Sequence, residues 1–179
     1  MSRGTFLARY PWPWLVVPEP SFDILSRIQR PETVIAQAQT QNVELPNSPK
    51  LRGASLDALC LELRPKSDRD LLTAVIQIGR SPEADVVLLD DSVSRLHAEL
   101  RCDRRSGIVT LTDLEAKNGT WVGSQQLEAM APVEVSSGSV VRTGALLMRY
   151  HDAPGFLDWL EEGAPRSGAS PGKWPTQEP

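Results

Sequence analysis

In the stretch SVSRLHAEL, residues 92–100, Ser94 stands three positions before His97, one of only two histidines in the chain. Such a pair could perform nucleophilic chemistry, but the residues that accompany it suit a different task. Gly79 and Arg80 precede Ser94 with 13 residues between Arg80 and the serine. Arg95 follows directly, and Lys117, Asn118, Gly119 and Thr120 come later, with 20 residues between His97 and Asn118. Together they offer a planar guanidinium, a hydroxyl, two further cations and an amide. That is a donor set for a phosphate dianion: arginine gives a fork, serine an O–H and a backbone N–H, lysine a charge. A catalytic serine needs a base that a third group orients, and a dyad at this spacing on a loop shows no such group. Binding is therefore favoured over catalysis, and no catalytic residue is assigned.

These residues need a rigid frame, and the pattern from Leu56 onward supplies one. LLTAVIQIG, ADVVLL, HAELRC, GIVTLTDL, GTWVG, PVEVSSGSVVRTG and ALLMRYHD are short apolar or alternating runs. Turn sequences such as RSPE, LDDSVS, DRRSG, EAKNG and SSGS separate them. Many short strands at this interval predict an all-β fold, an antiparallel β-sandwich. LDALCLELR reads as a further strand, although Leu56, Leu59 and Leu63 would also suit a helix. The phosphate-type residues then fall on loops, where a rigid sandwich concentrates function.

With the motifs placed, GR followed by SRLH and then NGT resembles the signature of the forkhead-associated (FHA) domain. Order and spacing match over residues 54–152. The resemblance implies an FHA/SMAD-like sandwich that binds phosphothreonine peptides. It implies that Arg80 and Ser94 hold the phosphate, that Asn118 bonds the peptide backbone, and that Arg95 contacts phosphate or nearby backbone. Lys117 stands where many members place a Ser or Thr, so it keeps a donor and adds charge. Gly79, His97, Gly119 and Thr120 take loop-structural roles, His97 as a brace between the loops. Roughly three or four charge-assisted bonds at about 1.5–3 kcal/mol each, less several kcal/mol of ordering, give about micromolar affinity.

Around this domain the texture differs. Residues 1–53 form a Pro/Trp-rich N-terminal arm and linker, in which YPWPWLVVPEP is too broken for a helix. Trp12 and Trp14 are expected to cover an apolar patch of the domain. Phe22, Leu25 and Ile28 predict a short helix behind Ser21, and PETVIAQAQTQ a second one after Pro31. Thr33 and Thr40 lie in this arm, where a phosphorylated threonine could reach the domain in cis. Phe156, Trp159 and Leu160 predict a short amphipathic helix over 153–163, and the tail 164–179 has the composition of a disordered segment.

Bulk properties narrow the function further. The net charge is −4, and residues 54–152 carry 11 basic against 15 acidic side chains. That balance argues against nucleic acid as a partner. No run approaches the ~20 apolar residues of a membrane span, and the start, broken by arginine and two prolines, is not expected to act as a signal peptide. A cytoplasmic location, with Cys60 and Cys102 as reduced thiols, is expected. No metal or cofactor is expected, since Asp85, Asp90 and Asp91 lack the spacing of a calcium loop and His151 stands alone. The expected partner is a phosphothreonine-containing protein, a Ser/Thr kinase or its substrate, in bacterial signalling. The alternative is a phosphate-independent scaffold of a larger bacterial assembly that docks through Trp12, Trp14 and Trp159.

Overall fold

The computed structural model describes residues 2–18, 28–29, 34–37, 57–67 and 72–162. Within them two sheets stack face to face, the β-sandwich expected from the alternating runs. The strands are β1 Trp14–Pro18, β2 Ile28–Gln29, β3 Val34–Gln37, β4 Asp57–Glu62, β5 Thr73–Gly79, β6 Val86–Leu88 and β7 Ala98–Asp103. They continue as β8 Val109–Asp113, β9 Thr120–Val122, β10 Gln125–Gln126, β11 Pro132–Glu134, β12 Val140–Thr143 and β13 Leu146–His151. One sheet runs β10-β9-β12-β13-β1-β4-β3 and the other β11-β8-β7-β5-β6-β2.

Alternation explains which side chains meet between the sheets. In β5, Ala74, Ile76 and Ile78 are buried while Thr73, Val75 and Gln77 are partly exposed. Ile76, Ile78, Leu100, Leu111, Val141, Met148 and Tyr150 form the main core with Leu61 and Leu63. Pairing is antiparallel except between β5 and β6, where Ile78 faces Val86 and Gly79 faces Val87 in parallel. A parallel neighbour so close in sequence forces residues 80–85 into a compact excursion, with Arg80 at its start. Asp85 ties that excursion down: its Oδ2 accepts the Gln77 N–H at 2.8 Å and its Oδ1 the Lys66 N–H at 2.5 Å.

The N-terminal segment differs from the irregular cover expected of it. Residues 14–18 are an interior strand, antiparallel to both β13 and β4, with Leu15 opposite Tyr150 and Leu61. The prolines that disguised the strand stand at its two ends. Pro13 precedes it, and Pro18 lies beyond Val16, the last residue paired to β13. Leu15 and Val17 point into the sandwich, while Trp14 and Val16 point to the outer face.

On that outer face lies a second apolar cluster. It gathers Trp14, Val16, Cys60 and Phe156 with Phe6, Tyr10, Trp159 and Leu160 around them. Two helices bring the aromatics: α1 at Arg3–Arg9, capped by Ser2, and α2 at Ala153–Glu162. The Trp14 and Phe156 rings stack at 4.3 Å, and Arg3 bridges to Asp158 at 2.5 Å. Trp12 instead lies under Arg104, 5.3 Å from the guanidinium carbon to the ring centre.

The helix expected after Pro31 is corrected, because Val34–Gln37 is a strand paired antiparallel to β4. β-branched Val34 and Ile35 suit a strand, and β4 would otherwise present an open edge there. Of the helix expected behind Ser21, only Ile28 and Gln29 are described, and they form a strand that extends the other sheet by pairing with β6. Ser21, Phe22, Leu25, Thr33, Thr40 and the tail 164–179 lie outside the described residues. With Trp14 both stacked and buried, Trp14→Ala is expected to cost about 3–5 kcal/mol, read as the shift in a urea unfolding midpoint. A cost under about 1 kcal/mol would show that β1 is a removable appendage.

Candidate functional site

Three loops emerge at one end of the sandwich, and backbone hydrogen bonds join the first two. The Arg80 N–H donates to Ser94 O at 2.9 Å, Ser81 N–H to Arg95 O at 3.0 Å, and His97 N–H to Ile78 O at 2.9 Å. The approach leaves no room for a side chain at position 79: a Cβ there would lie 2.2 Å from Arg95 O. Glycine is required by contact rather than by its own torsion angle. Arg80 is exposed, and its Nε donates to Val93 O at 3.3 Å, which leaves the two terminal amino groups for a ligand.

His97 connects the second loop to the third. It is fully buried. Its Nδ1 lies 2.9 Å from the Ser94 backbone nitrogen, which donates to it. Nδ1 therefore carries no proton, and Nε2 donates to Gly119 O at 2.9 Å. Both ring nitrogens are occupied by backbone, and neither meets the Ser94 hydroxyl. That hydroxyl oxygen accepts the Lys117 N–H at 3.1 Å, so its own proton is left to donate. Ser94 and His97 are a loop clamp in geometry, not a nucleophile and its base.

The third loop is a tight turn. Gly119 adopts φ +70°, a left-handed conformation that glycine accepts without strain, and its N–H bonds Ala116 O at 3.1 Å. Thr120 is buried and donates to Asp113 Oδ2 at 2.6 Å, while Asp113 Oδ1 accepts the Ala116 N–H at 2.9 Å. This pair closes the turn from beneath and presents Lys117 and Asn118, both exposed, at its tip. Asn118 Nδ2 donates to Ser92 O at 2.8 Å, leaving its carbonyl oxygen and second amide hydrogen for a ligand. Arg95 is exposed in the second loop.

The structure thus gathers Arg80, Ser94, Arg95, Lys117 and Asn118 on loops that share one end, with Gly79, His97, Gly119 and Thr120 between or beneath them. Such an array can bind an anion with charge-assisted bonds and hold an extended chain beside it. Among the described residues, no group of three or more His, Cys, Asp or Glu could hold a metal ion. The family model described as FHA domain matches residues 76–144. This chain carries an FHA domain.

Among curated relatives, the FHA domain-containing protein PS1 of Arabidopsis thaliana is 36% identical over 86 residues, 48% of this chain and 6% of that protein. The oxoglutarate dehydrogenase inhibitor of Corynebacterium diphtheriae is 36% identical over 87 residues, 49% of this chain and 54% of that protein. The chain thus spans about half or less of the length of these relatives. Of solved structures, the FHA domain of the CT664 protein from Chlamydia trachomatis is 32% identical, covering 44% of this chain and 77% of that one, with a TM-score of 0.41. FHA domains are binding modules.

Sequence reasoning passed over two groups that build this FHA end. Ser92 is one: its N–H and hydroxyl both donate to Asp90 Oδ1, at 2.8 and 2.6 Å, and its Oγ accepts the Ala145 N–H at 2.8 Å. The Asp-x-Ser pattern of a local side-chain turn was legible there. Asp113 is the other, and its link to Thr120 has no sequence signal beyond its place at a strand end.

Burial lowers the pKa of His97, against the opposing effects of its bond to Gly119 and the charge of Asp113. His151, beneath Trp159 with ring centres 6.0 Å apart, is lowered to about 4 by burial and by Arg149, with Asp152 opposing. An unfolded imidazole titrates near ~6.5. The stability these neutral imidazoles contribute is therefore complete above that pH and lost as pH falls toward the lower folded values. The unfolding free energy is expected to be level above about pH 7 and to fall by roughly 2 kcal/mol by about pH 5. His151→Gln should flatten the decline; a wild-type profile level down to pH 5 would contradict this account.

Proposed function

We propose that this FHA domain binds phosphothreonine-containing segments of partner proteins and serves as a non-enzymatic adaptor in Ser/Thr-kinase signalling. The observation that carries the reading is the end of the sandwich where exposed Arg80 and part-exposed Ser94 stand on loops clamped by His97. In this reading the Arg80 fork and the Ser94 hydroxyl bind the phosphate, and Lys117 and Arg95 add charge around it. Asn118 holds the peptide backbone beside the phosphothreonine. A preference for threonine over serine requires a place for one methyl, which simple burial rewards by about 0.8 kcal/mol, or roughly fourfold.

The net charge of −4 does not oppose such a ligand, because a phosphate responds to the cations nearest it more than to distant screened charges. A cytoplasmic setting suits the two unpaired thiols. Burial pushes Cys60 up to about 12 and Cys102 to about 11, which keeps both protonated and unreactive. The scaffold alternative draws less support. Two of the tryptophans it assigned to an outside partner pack inside the chain: Trp14 on Phe156, and Trp159 on Phe156 and His151.

The test is calorimetric titration of the full chain with a phosphothreonine peptide library and its unphosphorylated counterpart. Micromolar binding that requires the phosphate is expected. Arg80→Ala and Ser94→Ala should each weaken it at least about tenfold, consistent with loss of a bond to a charged group. Equal binding of phosphorylated and unphosphorylated peptides, or indifference to both substitutions, would replace this reading with the scaffold.

A further inference from the structure

We infer that Arg142, stacked on Trp121, is a specificity-determining residue that selects a carboxylate side chain in the bound phosphopeptide. The inference rests on the phosphothreonine reading and extends it beyond the phosphate. Trp121 follows the buried Thr120 in β9 and lies opposite Arg142 in β12. Because Thr120, Val141 and Thr143 are buried, alternation turns Trp121 and Arg142 to the outer face of their sheet. The Arg142 guanidinium carbon lies 3.2 Å from the indole centre, and Nη1 donates to Gly144 O at 3.1 Å.

This stack adjoins the candidate site directly. A Cβ on Gly119 would lie 3.1 Å from Trp121 Cη2, so the indole edge sits against the turn that carries Asn118. The Gly144 N–H donates to Gly119 O at 3.2 Å. The neighbouring Ala145 N–H reaches Ser92, whose carbonyl in turn accepts from Asn118. Ser92, Gly144 and Ala145 thus form a continuous wall from Asn118 to Arg142. A ligand held extended at Asn118 passes along that wall within a few residues, each spanning about 3.3 Å.

Arg142 is prepared for an anion in two respects. Stacking and the Gly144 bond fix the guanidinium, so little side-chain freedom remains to be lost on binding. Its Nε and Nη2 are left as an edge suited to a two-pronged carboxylate contact. Among the described residues no carboxylate pairs with it, and burial lowers its pKa without a counter-charge to oppose that. A surface arginine kept for solubility needs none of these features. A half-buried, immobilised one gains from an anion supplied by the ligand.

The experiment is a phosphothreonine peptide array on the full-length protein, with Asp or Ala substituted at each position around the phosphothreonine. The wild type is expected to favour Asp at one position by about fivefold, the size of a favourable exposed ion pair. In Arg142→Gln that ratio should fall to near one. If Arg142→Gln unfolds early, Trp121→Leu is read instead, since loss of the stacking platform should also shrink the ratio. No Asp preference, or one that survives both substitutions while phosphate-dependent binding persists, overturns the role of Arg142 and leaves the phosphothreonine reading intact. Absence of any phosphate-dependent binding removes both.

Discussion

A neutral imidazole sets the spacing of the loops on which this FHA domain depends. His97 accepts a hydrogen bond from the Ser94 N–H and donates one to the Gly119 carbonyl, joining the two segments through a single ring. The arrangement requires one tautomer. A proton on Nδ1 would confront the Ser94 N–H, a donor facing a donor, in a place without exposure to water. Full burial therefore fixes both the ring's charge and its hydrogen-bond roles. A ligand then meets loops that are already positioned, which limits the ordering cost of binding.

Below this clamp, small polar units take over where sheet pairing ends. Asp113 with Thr120 closes the third loop, Asp90 with Ser92 closes the second, and Asp85 fastens the excursion after β5. Each lets a buried or half-buried carboxylate satisfy backbone or hydroxyl donors that the ladders leave unpaired. Asp85, Asp90 and Asp113 are thus turned inward on structural work, while Arg80, Arg95 and Lys117 are exposed, as are Glu83, Asp91 and Glu115 on the same loops. At the outer face, β1, α1 and α2 build a second apolar layer that makes the N-terminal residues integral to the sheet.

Much of this was legible in the sequence, and the parts that were not share a physical cause. The strands from β5 to β13, apart from the two-residue β10, announce themselves by alternation and turn residues. The loop residues stand out because phosphate chemistry demands particular side chains in a particular order. Trp14–Pro18 was obscured because its prolines suggest a broken chain, and only the pairing with β13 and β4 reveals why they are tolerated. Val34–Gln37 was taken for a helix because Pro31 suits a first helical position, and an open sheet edge, which lies outside the local sequence, decides for the strand. The Arg142–Trp121 stack arises from cross-strand register, which residue spacing along the chain does not encode.

The central claim is that the clamped loop end is where a phosphothreonine ligand binds. Amide chemical-shift mapping of the isotope-labelled protein, titrated with a phosphothreonine peptide, tests it most directly. The account expects saturable shifts concentrated in residues 79–81, 92–97 and 116–120, absent when the same peptide lacks its phosphate. Shifts confined instead to the outer face around Trp14, Phe156 and Trp159, or none at all, would contradict it.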